Sequence, residues 1–384
     1  MNHQADIAIV GAGILGLAHA YLAARAGLRV VVFERNEQAR GASIRNFGMI
    51  WPVGQPAGAM HQMALRSRAL WLELLHAAAL PYRPTGSLHV VYREDEASVA
   101  REFAEIAPAQ GFECAWWNAA QVLECSPGVV AKGLMGGLWS PGELTVDPRL
   151  TIAKIPAFLT EQFPKVQFRF SSPVRSITLP RVETATERWE VDAAIVCSGD
   201  DFETLYPALF QASEITRCKL QMLRTAPQPD AWELGPSLAA GLTLRFYPAF
   251  EICQTLPDLK RRIAEETPEY DRWGIHVLVS QTADGALTLG DSHEYGRALD
   301  SFDKTSIDRL ILDYLATFFQ APRPEIVQRW HGVYAKHPTQ PFVRWKPEEH
   351  VRVVTAPGGS GMTLSFGLAE QTLLEMGLGL GSNL

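Results

Sequence analysis

The chain has 384 residues, 47% hydrophobic and 20% charged, which supplies material for a large core and excludes a disordered or low-complexity protein. It carries 35 Lys and Arg against 42 Asp and Glu, and the resulting net charge of −7 is scattered along the chain, which argues against a nucleic-acid partner. At about 150 residues per domain the length predicts two or three domains.

The N-terminus starts apolar but contains Asp6 and lacks a basic n-region, so it does not read as a signal peptide. Residues 7–10, Ile-Ala-Ile-Val, form a short apolar run, as expected of a parallel strand buried on both faces. Gly11-Ala12-Gly13-Ile14-Leu15-Gly16 follows as G-x-G-x-x-G and opens a helical pattern with apolar positions at Leu15, Ala18, Leu22 and Ala26, stopped by Gly27. A second apolar strand, residues 29–33, ends in Glu34. The unit is βαβ. Gly11 permits the tight turn, Gly13 lets a pyrophosphate approach the backbone, and Gly16 allows helix and strand to pack closely. The helix N-terminus, from Ile14 and Leu15, offers free N–H groups and a positive dipole end. Glu34 is placed to accept from an adenosine ribose hydroxyl and disfavours a 2′-phosphate. The arrangement predicts a dinucleotide site without distinguishing NAD from FAD; an unliganded glycine turn is the bland alternative.

Three later segments separate the cofactors. After Arg35 comes Gly41-Ala42-Ser43-Ile44-Arg45-Asn46-Phe47-Gly48-Met49; residues 191–199, Val-Asp-Ala-Ala-Ile-Val-Cys-Ser-Gly, form an apolar strand ending in a small-residue turn; and Ala356-Pro357-Gly358-Gly359-Ser360-Gly361-Met362-Thr363 precedes a helix-compatible stretch to Leu378. In this order they resemble the D-amino acid oxidase, glycine oxidase and sarcosine oxidase superfamily of FAD enzymes. The stretches Arg45–Pro52 and Gly332–Pro338 are similar to a bacterial subgroup associated with aminophosphonate breakdown. The resemblance implies an α/β fold (α+β overall), glycine-oxidase-like: a Rossmann-type FAD-binding domain with a parallel sheet, plus an antiparallel-sheet substrate domain. It implies that Ser43, Arg45 and Asn46, with Ala42 and Gly48, line the pyrophosphate and isoalloxazine edge. Val174, in a strand-like stretch 168–177, would meet the adenine, and Cys197, Ser198 and Gly199 the pyrophosphate. Gly359, Ser360, Gly361, Met362 and Thr363 would present backbone N–H groups to the flavin N1/O2 locus, where a helix N-terminus stabilises negative charge. Residues 41–49 and 355–367 contain neither Cys nor His, so the FAD is expected to be non-covalent.

Between these parts, Asp147 suits an N-cap and Pro148 the first turn of a flavin-domain helix, and residues 61–80 read as a helix. Strand-like runs at 87–92, 242–247, 276–280 and 286–289, with Gly285 as a hairpin turn, predict an antiparallel sheet over the flavin. The Pro-rich stretch 322–341 reads as a crossover back to the flavin domain. The domains are then 1–83, 144–215 and 325–384 for FAD, and 84–143 and 216–324 for substrate. No stretch approaches the roughly 18 apolar residues of a membrane span. Five cysteines at 114, 125, 197, 218 and 253 include no C-x-x-C, so neither a metal site nor a disulfide framework is expected and the cytoplasm is the default location.

The resemblance implies hydride transfer from a C–H beside an amine nitrogen to flavin N5, followed by imine hydrolysis. The partners are a small amine and O2 or another electron acceptor, and no obligatory general base is expected. Trp51, Tyr247, Trp330 and Tyr334 are candidate walls for an amine, with core packing as the alternative. His293, Lys219 and Gln221 are weaker polar candidates; Trp71, Trp116 and Trp117 read as core. Family members that oxidise α-amino acids carry an Arg after Trp-x-Gly that clamps the carboxylate. Here Tyr334 stands near that place, with Lys336 and His337 beyond, so a phosphonate held by Lys336 and His337, with Arg45 opposite, is the expectation. A glycine- or sarcosine-type oxidase, a 2-hydroxy acid dehydrogenase and a non-catalytic flavoprotein are the competing readings.

Overall fold

A computed structural model describes residues 3–378. Two large sheets carry the fold. In the first, five strands run parallel in the spatial order Val166–Arg169, Val30–Phe33, His3–Val10, Arg188–Val196 and Val351–Thr355. Val30–Phe33 is buried throughout, as its unbroken apolar run requires. The helix Ile14–Arg25 is buried from Ile14 to Ala24, because it lies between this sheet and two further helices, Pro148–Gln162 and Gly361–Glu375. Helix Gly361–Glu375 packs in turn on Ala59–Ala77, where Trp71 is fully buried and its Nε1 donates to Met362 O at 2.7 Å. Asp147 caps helix Pro148–Gln162 by accepting from the N–H groups of Arg149 and Leu150, with Pro148 at the first position.

The second sheet has nine strands, antiparallel except where Ser237–Ala240 pairs parallel with Ser87–Val91. The expected strands near 276–280 and 286–289 occur as Leu278–Gln281 and Leu287–Gly290, with Gly285 at φ +82° between them. Trp71 lies in the core as expected, whereas Trp116 and Trp117 are only half-buried, on an edge strand.

Four expectations are corrected. Residues 242–247 are not a strand: Gly241–Leu244 is one helical turn, set where a Cβ on Gly241 would fall 2.0 Å from the Glu96 carboxyl carbon. The stretch 168–177 is broken, because Ser171 at φ +53° turns the chain between Val166–Arg169 and Ser176–Thr178, and Val174 sits in the connection. The stretch 322–341 is not a crossover: Ile326–Lys336 is a strand paired antiparallel with Thr216–Thr225. Its prolines, at 322, 324, 338 and 341, flank the paired residues and cost the ladder no donor. The segment expected to begin at 325 therefore opens on a strand of the second sheet, and residues 1, 2 and 379–384 of the expected domain lie outside the described residues. Amphipathic helices Glu94–Ile106, Leu256–Glu266 and Thr305–Phe318 cover the second sheet where the sequence was read as strands and turns.

Gly48 (φ +72°) and Gly27 (φ +82°) share a left-handed backbone but not an environment: a Cβ on Gly48 would lie 1.9 Å from Val146 O, and one on Gly27 would meet nothing within 4 Å. Gly27→Ala should therefore cost about 1 kcal/mol, the left-handed penalty alone, and Gly48→Ala at least twice as much, read as the order of their Tm values.

Candidate active site

One elongated cavity runs from the carboxyl ends of the parallel strands to the face of the second sheet. Such ends are where open α/β sheets bind ligands. At the first-sheet end, Gly11 donates its N–H to Phe33 O at 2.7 Å, and Cys197 N donates to Val10 O at 2.8 Å. A Cβ on Gly11 would sit 2.3 Å from Cys197 O, and one on Gly16 would sit 1.8 Å from Gly11 O. Gly11 and Gly16 thus hold the loop tight, and Gly16 does not reach the cavity.

Glu34 is buried, and its carboxylate organises the loop. Oε2 accepts from Ala12 N at 3.0 Å, and Oε1 accepts from Asn36 N and Nδ2 at 3.0 and 3.1 Å. Ser43 Oγ accepts from Ile14 N at 2.9 Å, while a Cβ on Gly13 would come to 3.0 Å from the same oxygen. Gly13, Ile14, Leu15, Ala42 and Ser43 all face the cavity. Arg35 lines it while paired to Asp201 at 3.0 Å. Asn46 lines it too, but its amide is engaged within its own loop, donating to Ala42 O and Ser43 O and accepting from Gly48 N. Val174, Cys197, Ser198 and Gly199 complete this end.

A second helix N-terminus opens on the cavity through Gly359, Gly361 and Met362. Ser360 and Thr363 do not line it. Ser360 Oγ accepts from Gln55 Nε2 at 3.0 Å, and Thr363 Oγ1 accepts from Trp51 N at 2.9 Å, so both brace the loop from behind. Gly48 is likewise absent from the wall, and its glycine is demanded by Val146 O.

The nine-stranded sheet closes the far side with Leu220, Met222, Asp291 and residues 332–335. Tyr334 is among them, and burial pushes its phenol well above the usual tyrosine range. Arg45 faces it from the glycine-loop side, its Nη1 3.4 Å from His331 O. Lys336 stands beside the cavity, its Nζ 3.4 Å from Tyr295 Oη and its strand bridged to Pro357.

Several expected substrate contacts are not brought to this wall. His337 is turned to its own chain: Nδ1 accepts from Thr339 N at 3.2 Å and Gln340 N at 3.1 Å, capping the turn at Pro338. Lys219, 1% exposed, binds Asp303 at 2.9 Å and the carbonyls of Asp300 and Phe302, and Gln221 binds Asp308 and Lys304. Both side chains point to the covering helix side of the sheet, because strand alternation puts Leu220 and Met222 on the cavity face. Trp51 and Tyr247 stack at 6.2 Å behind the wall, and Trp330 donates to Arg45 O at 3.3 Å. His293 is buried and hydrogen-bonded to Gly274 O at 2.9 Å.

Asp291 is the wall residue that sequence reasoning missed. Its neighbourhood, Gly290-Asp291-Ser292-His293, drew attention only through the histidine; the apolar strand running straight into an acid was the available signal.

Residues 6–373 match the family described as DAO, FAD dependent oxidoreductase. The glycine oxidase of Geobacillus kaustophilus (strain HTA426) is 29% identical over 153 residues, covering 37% of this chain and 40% of that relative, so the curated match spans less than half of either. The crystal structure of glycine oxidase from Geobacillus kaustophilus superposes with a TM-score of 0.76 at 19% identity over 100% of both chains. That of L-proline dehydrogenase from P. horikoshii gives 0.76 at 18% identity, covering 98% and 95%. FAD fits the cavity: two helix N-termini and a glycine cradle meet at one wall, and the opposite end is apolar through Phe33, Val174 and Leu205. Residues 11–15, Glu34, Ser43, Gly199 and 359–362 would hold it. Glu34→Ala should raise the Kd for FAD about tenfold to a hundredfold, since a charge-assisted hydrogen bond and the loop it orders are both lost; titration of apoprotein checks this. Acid precipitation should release the flavin intact, whereas colour retained in the pellet would contradict non-covalent binding.

Proposed function

This chain belongs to the FAD-dependent oxidoreductase family, and we propose that it oxidises the C–N bond of a small amine bearing an anionic group, an aminophosphonate being the substrate we favour. Cations left without carboxylate partners at the cavity carry this reading. Arg45 on the wall and Lys336 beside it lie within ion-pairing distance of no carboxylate among the described residues, although 35 cations share the chain with 42 acids. A tetrahedral anion needs donors from several directions, and these two arrive from opposite walls. Tyr334 occupies the strand where an α-amino acid oxidase of this family would present its carboxylate-clamping Arg, which favours a phosphonate over a planar carboxylate. The names of the relatives, glycine oxidase and L-proline dehydrogenase, favour C–N over C–O oxidation.

Bound FAD supplies a two-electron acceptor for the hydride that leaves the carbon beside nitrogen. The chain's own residues orient and desolvate: Leu220, Met222 and Phe47 form a dry wall, and Arg45 and Lys336 fix the anionic end so that the amine end lies toward Asp291. The imine released takes up water to give a carbonyl and an amine, and the electrons pass to O2 or another acceptor. We assign FAD binding to 1–83, 144–215 and 325–384 and substrate binding to 84–143 and 216–324, except that the strand Ile326–Lys336 pairs within the substrate sheet. Among the described residues no helix is long and apolar enough to cross a membrane. All five cysteines are unpaired, which suits the reducing cytoplasm.

Anaerobic flavin bleaching tests the reading. 2-Aminoethylphosphonate or its N-methyl derivative should bleach the enzyme, and lactate should not. Lys336→Ala should raise half-saturation for the phosphonate by about tenfold or more, the value of one charge-assisted contact, and leave an uncharged amine unaffected. Fastest bleaching by α-amino carboxylates would overturn the phosphonate; bleaching by lactate alone would overturn amine oxidation.

A further inference from the structure

A buried carboxylate stands on the cavity wall without a cation. Asp291 follows the strand Leu287–Gly290 and is 5% exposed; its Oδ1 makes no hydrogen bond, and the nearest group able to carry positive charge is His276, whose Nε2 is 3.3 Å away. Asp291 N donates to His276 O at 3.1 Å, so the two residues are also tied through the backbone. The His276 ring lies between Phe246, at 4.3 Å and 25°, and His293, at 5.0 Å and 17°, with Tyr247 edge-on at 6.1 Å. His293 is itself fixed by Gly274 O. Nothing is free to rotate His276 away, yet its Nδ1 has no hydrogen-bond partner.

A structural buried acid is normally saturated with donors, as Glu34 is here. Asp291 and His276 instead present unmade hydrogen bonds to the space a substrate would fill. Burial drives the Asp291 carboxyl well above the usual carboxylate range and the His276 imidazole well below its usual value, so without a ligand both are biased to their neutral forms. A cation placed against them reverses that bias for the acid and relieves the desolvation cost.

We propose that Asp291 binds the amine nitrogen of the substrate and that His276 positions it and shares the proton the amine gives up. This inference rests on the amine-oxidation reading and specifies which residue reads the nitrogen. The substrate arrives as an ammonium and donates N–H to Asp291. Hydride loss requires a lone pair on nitrogen, so one N–H bond breaks and its proton forms an O–H or N–H bond on the Asp291–His276 pair; no electrons are transferred in this step. The proton passes to water when the product leaves. An analogue with carbon in place of nitrogen leaves the pair unmatched and is rejected, which makes Asp291 the specificity determinant for amines.

Two ligand pairs differing only at nitrogen test it on the holoenzyme: 2-aminoethylphosphonate against propylphosphonate, and β-alanine against butyrate. Each is titrated by the flavin absorption change that precedes bleaching. The wild type should prefer an amine over its methyl isostere by about tenfold to a hundredfold. Asp291→Asn should abolish the preference while retaining propylphosphonate affinity and FAD content, and Asp291→Glu should restore part of it. His276→Gln should lower the rate of bleaching more than it raises half-saturation. If Asp291→Asn does not hold FAD, an Asp291→Glu enzyme with the full wild-type preference for the amine and an unchanged bleaching rate in His276→Gln overturn the inference. Retention of the preference in Asp291→Asn overturns the inference and leaves the amine reading intact. A wild type that binds neither pair overturns the anionic-amine reading and the inference with it.

Discussion

The loop Gly11–Gly16 is gripped from both sides, and the rest of the site depends on that grip. Gly11 donates to Phe33 O on one neighbouring strand and lies so close to Cys197 O on the other that no side chain could stand there. Glu34, at the end of the second strand, then takes the Ala12 N–H, and Ser43 takes that of Ile14. Three parallel strands thereby converge on one backbone loop and aim a helix N-terminus at the cavity. A carboxylate in this place serves two ends: it orders the loop, and it keeps lone-pair capacity facing the nucleotide site.

The second sheet supplies the opposite chemistry. Its strand Thr216–Thr225 turns Leu220 and Met222 to the cavity and Lys219 and Gln221 to the covering helices, so the wall opposite the glycine loop is dry. In a dry wall, electrostatic contacts are stronger and unpaired polar atoms more costly. Asp291 stands in this wall with a stacked imidazole behind it, and Arg45 and Lys336 stand at its edges without carboxylates. An anionic amine satisfies both features at once, with its ammonium at Asp291 and its anion at the two cations.

The βαβ unit was legible because every requirement of a nucleotide loop is local: strand, glycines, helix and acid follow one another in sequence. The helix cap at Asp147 and Pro148 was legible for the same reason. Residues 242–247 and 322–341 were misread because their fates are set by distant partners, the Glu96 carboxylate in the first case and ten paired residues of Thr216–Thr225 in the second. His337 illustrates the limit for site residues. Its type and position suit an anion, but Thr339 and Gln340 lie close enough to claim its nitrogen. Asp291 escaped notice because its significance is a missing bond, and sequence shows which groups are present but not which are left unpaired.

The central claim is that one cavity holds flavin at the glycine loops and an amine at Asp291. A crystal structure of the holoenzyme with 2-aminoethylphosphonate, under anaerobic and fully reduced conditions that prevent turnover, tests it most directly. The account predicts the ligand nitrogen within about 3 Å of an Asp291 carboxylate oxygen and the phosphonate between Arg45 and Lys336. A nitrogen turned toward Lys336 with the phosphonate at Asp291, or a ligand seated outside this cavity, would contradict it.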